Sequence, residues 1–169
     1  MLKGKRVSII GGGKMGEVLT GGMISGNLVS PGDITVSDVV TERMDYFDKK
    51  YRVNVTADNG EAIKSADIVI LAVKPQNMGE VLEGVSDIID ETKLIISIAA
   101  GITTGFIEGY LKSGVRVIRV MPNTPALVGE GAAALAAGEG ATEDDLALAR
   151  YIFDSVGITV IVNEDLMDA

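Results

Sequence analysis

Arg6-Val-Ser-Ile-Ile-Gly-Gly-Gly-Lys-Met-Gly16 is the stretch on which the reading of this chain turns. Arg6 to Ile10 reads as a short strand, and the apolar spacing from about Lys14 to Ser25 reads as a helix, with Gly26-Asn27 as its stop signal. Between them lies Gly11-Gly-Gly13-Lys-Met-Gly16. A glycine string means little by itself in a chain with 21 glycines, but strand before and helix after give it context. The first glycine permits a tight turn, the second lets backbone approach a pyrophosphate, and the third lets the helix sit close on the strand. Amide groups at the helix start then face the phosphates. Gly11, Gly12, Gly13, Lys14, Met15 and Gly16 are therefore the first candidate cofactor residues.

Outward from this stretch the same alternation continues. Strands are expected at 33–37, 53–55, 68–73, 94–98, 115–120, 132–136 and 158–162. Helices are expected at 41–50, 61–65, 76–89, 103–112 and 142–155, with Thr41 and Thr142 as N-caps. Apolar strands such as Ile68-Val-Ile-Leu-Ala-Val73 have no polar alternation, which implies burial on both faces. Strand–helix alternation then predicts one α/β domain over 1–169, a Rossmann-like doubly wound parallel sheet with right-handed crossovers.

Composition removes several classes of chemistry. The chain has 169 residues, no histidine and no cysteine. Disulfides, thiolate or imidazole metal sites and His-assisted nucleophiles are thereby excluded within it, and no metal site is expected. A net charge of −9 argues against nucleic acid, since phosphate neutralisation needs surplus Lys and Arg. No apolar run approaches the length of a membrane span, and no signal-peptide core precedes Gly11. A cytoplasmic protein without membrane contact is expected. The acidic run Glu143-Asp-Asp145 reads as a solvated helix start.

In an open α/β sheet, ligands bind beyond the carboxyl ends of the strands. At the end of the second strand stand Ser37 and Asp38. Asp38 lies about 20 residues past the glycines, where an acid would hold the ribose diol of NAD. Ser37, Thr41 and Arg43 would instead suit the 2′-phosphate of NADP. Ala72-Val-Lys-Pro75 ends the fourth strand, with Lys74 placed to meet phosphate or ribose. Ile98-Ala-Ala-Gly101 ends the next in small residues, which suits a flat ring on backbone. Val120-Met-Pro-Asn-Thr-Pro125 ends the one after, with Asn123 and Thr124 offering polar groups on the substrate side.

Together, Ile10-Gly-Gly-Gly-Lys-Met-Gly16, Leu71-Ala-Val-Lys-Pro75, Ile96-Ser-Ile-Ala-Ala-Gly101 and Arg119-Val-Met-Pro-Asn-Thr-Pro-Ala126 resemble pyrroline-5-carboxylate reductase. The resemblance covers essentially the whole chain. It implies NAD(P)H-dependent reduction of 1-pyrroline-5-carboxylate to L-proline, the last step of proline biosynthesis, with NADPH usually preferred and NAD left open by Asp38. It also implies cofactor contacts from Gly11 to Gly16, Ser37, Asn59, Ala72, Val73, Lys74, Pro75, Ala99, Ala100 and Gly101. Members of this family continue into an all-helical domain that builds the homo-oligomer and much of the imino-acid site, so this chain is expected to be the cofactor half and inactive alone.

A cyclic imine arrives already protonated more readily than a ketone, so the missing histidine is no obstacle and orientation carries more of the rate. No residue is assigned as the catalytic acid. The alternatives are another two-domain reductase, of β-hydroxyacid dehydrogenase or deazaflavin-dependent type, and a stand-alone nucleotide-binding module.

Overall fold

Successive residues of the central strands face opposite sides, and that alternation sorts the molecule into layers. The computed structural model describes residues 2–168. Its strands are β1 (Val7–Ile10), β2 (Ile34–Ser37), β3 (Asn54–Thr56), β4 (Ile68–Leu71), β5 (Leu94–Ser97), β6 (Arg116–Pro122), β7 (Gly131–Ala137) and β8 (Gly157–Ile161). The helices are α1 (Lys14–Ser25), α2 (Thr41–Tyr51), α3 (Asn59–Lys64), α4 (Met78–Val85), α5 (Thr104–Glu108) and α6 (Glu143–Phe153). Ile9, Ile68, Ile70, Leu94 and Ile96 bury against Leu19 and Met23 of α1, Phe47 of α2 and Ile152 of α6. Ile10, Val69, Leu71 and Ile95 bury on the other face, against Ile63 of α3, Leu82 of α4 and Ile107 of α5. Strands with apolar residues at every position are thus satisfied on both sides.

The strand order is β3-β2-β1-β4-β5-β6-β7-β8. From β1 the chain first builds outward to β2 and β3, then returns to lay β4 on the other flank of β1. The order reverses between β1 and β4, and this switch point is where such sheets bind ligands. The doubly wound reading therefore holds from β1 to β6, where every pairing is parallel.

The last two strands depart from the all-parallel expectation: β7 runs antiparallel to β6, and β8 runs parallel to β7. The reason is the connection. Residues 123–130 hold only a 3-10 turn, Thr124–Val128, and a parallel return needs a crossover of about a dozen residues or more.

Four local expectations are also corrected. The helix expected at 76–89 is a 3-10 turn, Pro75–Asn77, followed by the shorter α4. The one expected at 103–112 shrinks to α5, where Gly105 and Gly109 weaken helix continuation. Thr41 is not the cap of α2; Val40 is, and its amide is satisfied by Asp38 Oδ1 at 2.8 Å. Thr142 does cap α6, in a reciprocal capping box with Asp145. Asp145, however, is not a solvated acid. It is 1% exposed and takes Arg116 Nη1 at 2.6 Å, while Arg116 also holds the Glu91 and Thr92 carbonyls.

Candidate dinucleotide site

Register aligns Ser37, Ile10, Leu71, Ser97 and Arg119 in one row across the carboxyl edge of β2, β1, β4, β5 and β6. The loops that leave this row carry the sequence-predicted residues. Adjacent strands anchor those loops: the Gly11 amide donates to the Ser37 carbonyl, Ala72 to Ile10, and Ile98 to Leu71.

Three of the four glycines of the first loop have separate causes. Gly11 has φ +107, and a Cβ there would lie 2.6 Å from the Ala72 carbonyl oxygen. A Cβ at Gly16 would lie 2.5 Å from the Gly11 carbonyl oxygen, so the helix can approach the strand only without one. Gly13 is different. A Cβ there would meet nothing within 4 Å, and the residue stands exposed immediately before α1. The structure thus leaves room at the helix start where an anion would sit against backbone amides. The residues fit a pyrophosphate-bearing group.

Asp38 faces this loop. Its Oδ2 accepts from the Gly12 amide at 2.7 Å and its Oδ1 from the Val40 amide at 2.8 Å. Beside it, Arg43 Nε donates to the Gly12 carbonyl at 2.6 Å, and the guanidinium stacks over Tyr46 and Phe47. Ser37 is 1% exposed, and its hydroxyl donates to Asn59 Oδ1 at 2.6 Å. Ser37, Asp38, Arg43 and Asn59 therefore gather beside Gly12, whereas Thr41 is exposed on the outer start of α2.

One residue that the sequence reading passed over organises this region. Glu17, on α1, accepts from Tyr46 at 2.6 Å, Lys50 at 3.1 Å, Tyr51 at 3.2 Å and Arg43 at 3.3 Å. Burial pushes the Glu17 carboxyl up, but the Tyr46 hydroxyl, Lys50, Arg43 and Tyr51 more than offset it and hold it at about 2. The Tyr46 hydroxyl, with Glu17 and Tyr51, holds the Lys50 ammonium above its ordinary value. Its sequence signal was present: α2 places Arg43, Tyr46 and Lys50 at helical spacing, so the three share one face.

At the other end of the row, Met15, Ile98, Ala99, Ala100, Val120 and Met121 line a recess of about 160 Å³, floored also by Arg119 and Pro122. Gly101, the residue after Ala100, adopts φ +72. Lys74 is exposed and extended (φ −61, ψ 144), as a residue before proline must be. Asn123 and Thr124 lie on the exposed loop after β6, and Asn123 Oδ1 is already taken by the Ala132 amide at 2.8 Å. That bond pins the β6–β7 connection. Among the described residues no cluster of acids assembles as a metal site.

Fold and strand-end loops define a dinucleotide-binding α/β protein. The chain belongs to the family described as "NADP oxidoreductase coenzyme F420-dependent", whose model matches residues 6–101. A more extensive likeness, reaching through the β6 loop to the end of the chain, is to pyrroline-5-carboxylate reductases. The one from Methanosarcina acetivorans is 42% identical over 168 residues, 99% of this chain and 62% of that protein. The structure of the reductase from Coxiella burnetii superposes with a TM-score of 0.92 at 37% identity, covering 97% of this chain and 61% of that one. The structure of the Plasmodium falciparum reductase with NADP bound gives 0.86 at 30% identity, covering 98% and 60%. This chain spans about three-fifths of the length of these relatives.

Proposed function

We propose that this chain is the NADP(H)-binding part of a reductase that converts 1-pyrroline-5-carboxylate to L-proline. The observation that carries the reading is the open ground before α1 at Gly13, flanked by the Arg43 cluster on one side and the small-residue recess on the other. The bound coenzyme supplies a hydride from its nicotinamide. Gly11 and Gly12 shape the loop, and the backbone amides from Gly13 to Gly16, at the start of α1, hold the pyrophosphate. Arg43, beside Gly12, receives the 2′-phosphate and offsets the repulsion from Asp38. Lys74 and Pro75 flank the ribose, and Ala99 to Gly101 with Met15 enclose the ring.

We further infer that a helical domain completes the protein. Ala132, Ala134, Ile158 and Val160 lie on the sheet face opposite α6, with Ile158 74% and Val160 56% exposed. An uncovered apolar sheet face calls for a further layer. That layer, with Asn123 and Thr124 on its near side, would supply the imino-acid pocket and the homo-oligomer contact. This argues against the stand-alone module. No helix among the described residues is long and apolar enough to cross a membrane, which suits a cytoplasmic enzyme.

The test is a pair of titrations of the chain with NADPH and NADH, followed by Arg43→Ala. The reading expects tighter NADPH binding, lost selectively in the variant, and negligible imine reduction by the chain alone. Equal binding of both coenzymes, unchanged by Arg43→Ala, would sink the assignment of Arg43.

A further inference from the structure

Arg119 is the largest fully buried side chain of the protein, at 1% exposure, and belongs to the strand-end row beside the recess. Burying a guanidinium is costly unless its donors are paired. Here Asp168 takes two of them, Nη2 at 2.7 Å and Nη1 at 3.1 Å. Glu164 takes Nη1 at 3.3 Å. Glu164 does more: its Oε1 accepts from the Thr104 amide at 2.8 Å and its Oε2 from the Thr104 hydroxyl at 2.6 Å.

These bonds connect distant parts of the chain. Loop 98–103 supplies Ile98, Ala99 and Ala100 to the recess. Its near end is fixed to the sheet by the Ile98 amide on the Leu71 carbonyl. Its far end is fixed at Thr104, on a helix of only five residues that has little stability of its own. What holds Thr104 is Glu164, and what orients Glu164 is Arg119.

We propose that Arg119 is a positioning residue for the nicotinamide end of the site, acting through Glu164 and Thr104 on loop 98–103. The inference rests on the coenzyme reading above. The adenosine end, at Gly12, Ser37 and Arg43, shares none of these contacts, so the latch sets the fit of one half of the coenzyme only.

The test compares NADPH with adenosine 2′,5′-bisphosphate, which occupies the adenosine end alone, on the chain and on Glu164→Gln. Glu164 is partly exposed, so this variant folds where Arg119→Gln would leave a buried gap. Amide hydrogen exchange at Thr104 is followed in parallel. The expected result is about tenfold weaker NADPH binding, as for loss of a charge-assisted bond, with the bisphosphate unchanged and Thr104 exchanging faster. Asp168→Asn moves both readouts the same way by less. Parallel weakening of both ligands, unchanged NADPH affinity, or Thr104 protection untouched by Glu164→Gln would each overturn the proposal. If the parent chain binds neither ligand, the coenzyme reading falls, and Thr104 exchange alone then decides whether the latch exists.

Discussion

The Asp38 carboxylate and the Gly12 amide are hydrogen-bonded at 2.7 Å, which makes the acid at the end of β2 a structural member of the glycine loop. Its second oxygen holds the start of α2. An acid so placed supports the loop and repels a 2′-phosphate at the same time.

Asp38→Asn separates these effects. The amide oxygen still accepts one backbone proton, while the charge is gone. Relief of roughly 1 kcal/mol of repulsion shifts the ratio of NADPH to NADH affinity about fivefold toward NADPH. Paired fluorescence titrations measure the ratio, and a shift toward NADH would contradict the arrangement described.

Alanine at two glycines separates stability from binding. Gly16→Ala forces Cβ onto the Gly11 carbonyl, lowering both thermal stability and coenzyme binding. Gly13→Ala meets nothing within the protein, so melting temperature stays within a degree or two while coenzyme affinity drops about tenfold or more. Calorimetry alongside titration distinguishes them. A destabilised Gly13→Ala would mean that the open ground is illusory.

Glu17 carries a pH dependence whose sign is fixed. Its carboxyl is lowered from 4.5 to about 2 in the folded chain. Its contribution is therefore complete above about pH 4.5 and is lost progressively as pH falls toward 2. Glu17→Gln is expected to be less stable than the parent at pH 7 and to approach it near pH 2. Urea melts at several pH values check this, and a constant difference across that range would refute it.

Ser8 is wholly buried in β1, and its hydroxyl is without a hydrogen-bond partner among the described residues. Ser8→Ala removes the unsatisfied group and is expected to stabilise the chain by about 1 kcal/mol. The urea midpoint should rise with the slope unchanged.

The Arg116–Asp145 pair joins β6 to the start of α6. Asp145→Asn leaves the half-buried guanidinium short of its carboxylate and is expected to cost about 2 kcal/mol, against about 1 kcal/mol for Thr142→Ala. The double variant should lose less than the sum, because both residues serve one capping box. Strict additivity in denaturation would show that the two act separately.

How much of this was legible in the sequence depended on the range of the interaction. β1, the glycines and α1 were readable because adjacent residues dictate them. The cap at Thr142 was readable for the same reason, but Thr41 was not, because the helix begins a residue earlier, with the Arg43 and Met44 amides on the Val40 carbonyl and Asp38 holding the Val40 amide. The reversal at β7 was hidden in a connection whose length, rather than composition, decides direction. Arg119 was quoted within its motif without a role, since its partners lie 45 and 49 residues away. Asp145 looked like a surface acid until Arg116 was brought to it.

The β6–β7 turn has a last consequence for handling the protein. It leaves β8, Gly157-Ile-Thr-Val-Ile161, as the outermost strand, uncharged and with one row of backbone groups free to pair. Such an edge is a template for strand addition. Mutual repulsion from a net charge of −9 opposes it at neutral pH, and that protection vanishes near the isoelectric point of about 4.5. Precipitation of the isolated chain under mild acid would then begin from this strand while the glycine-loop side of the sheet is still folded.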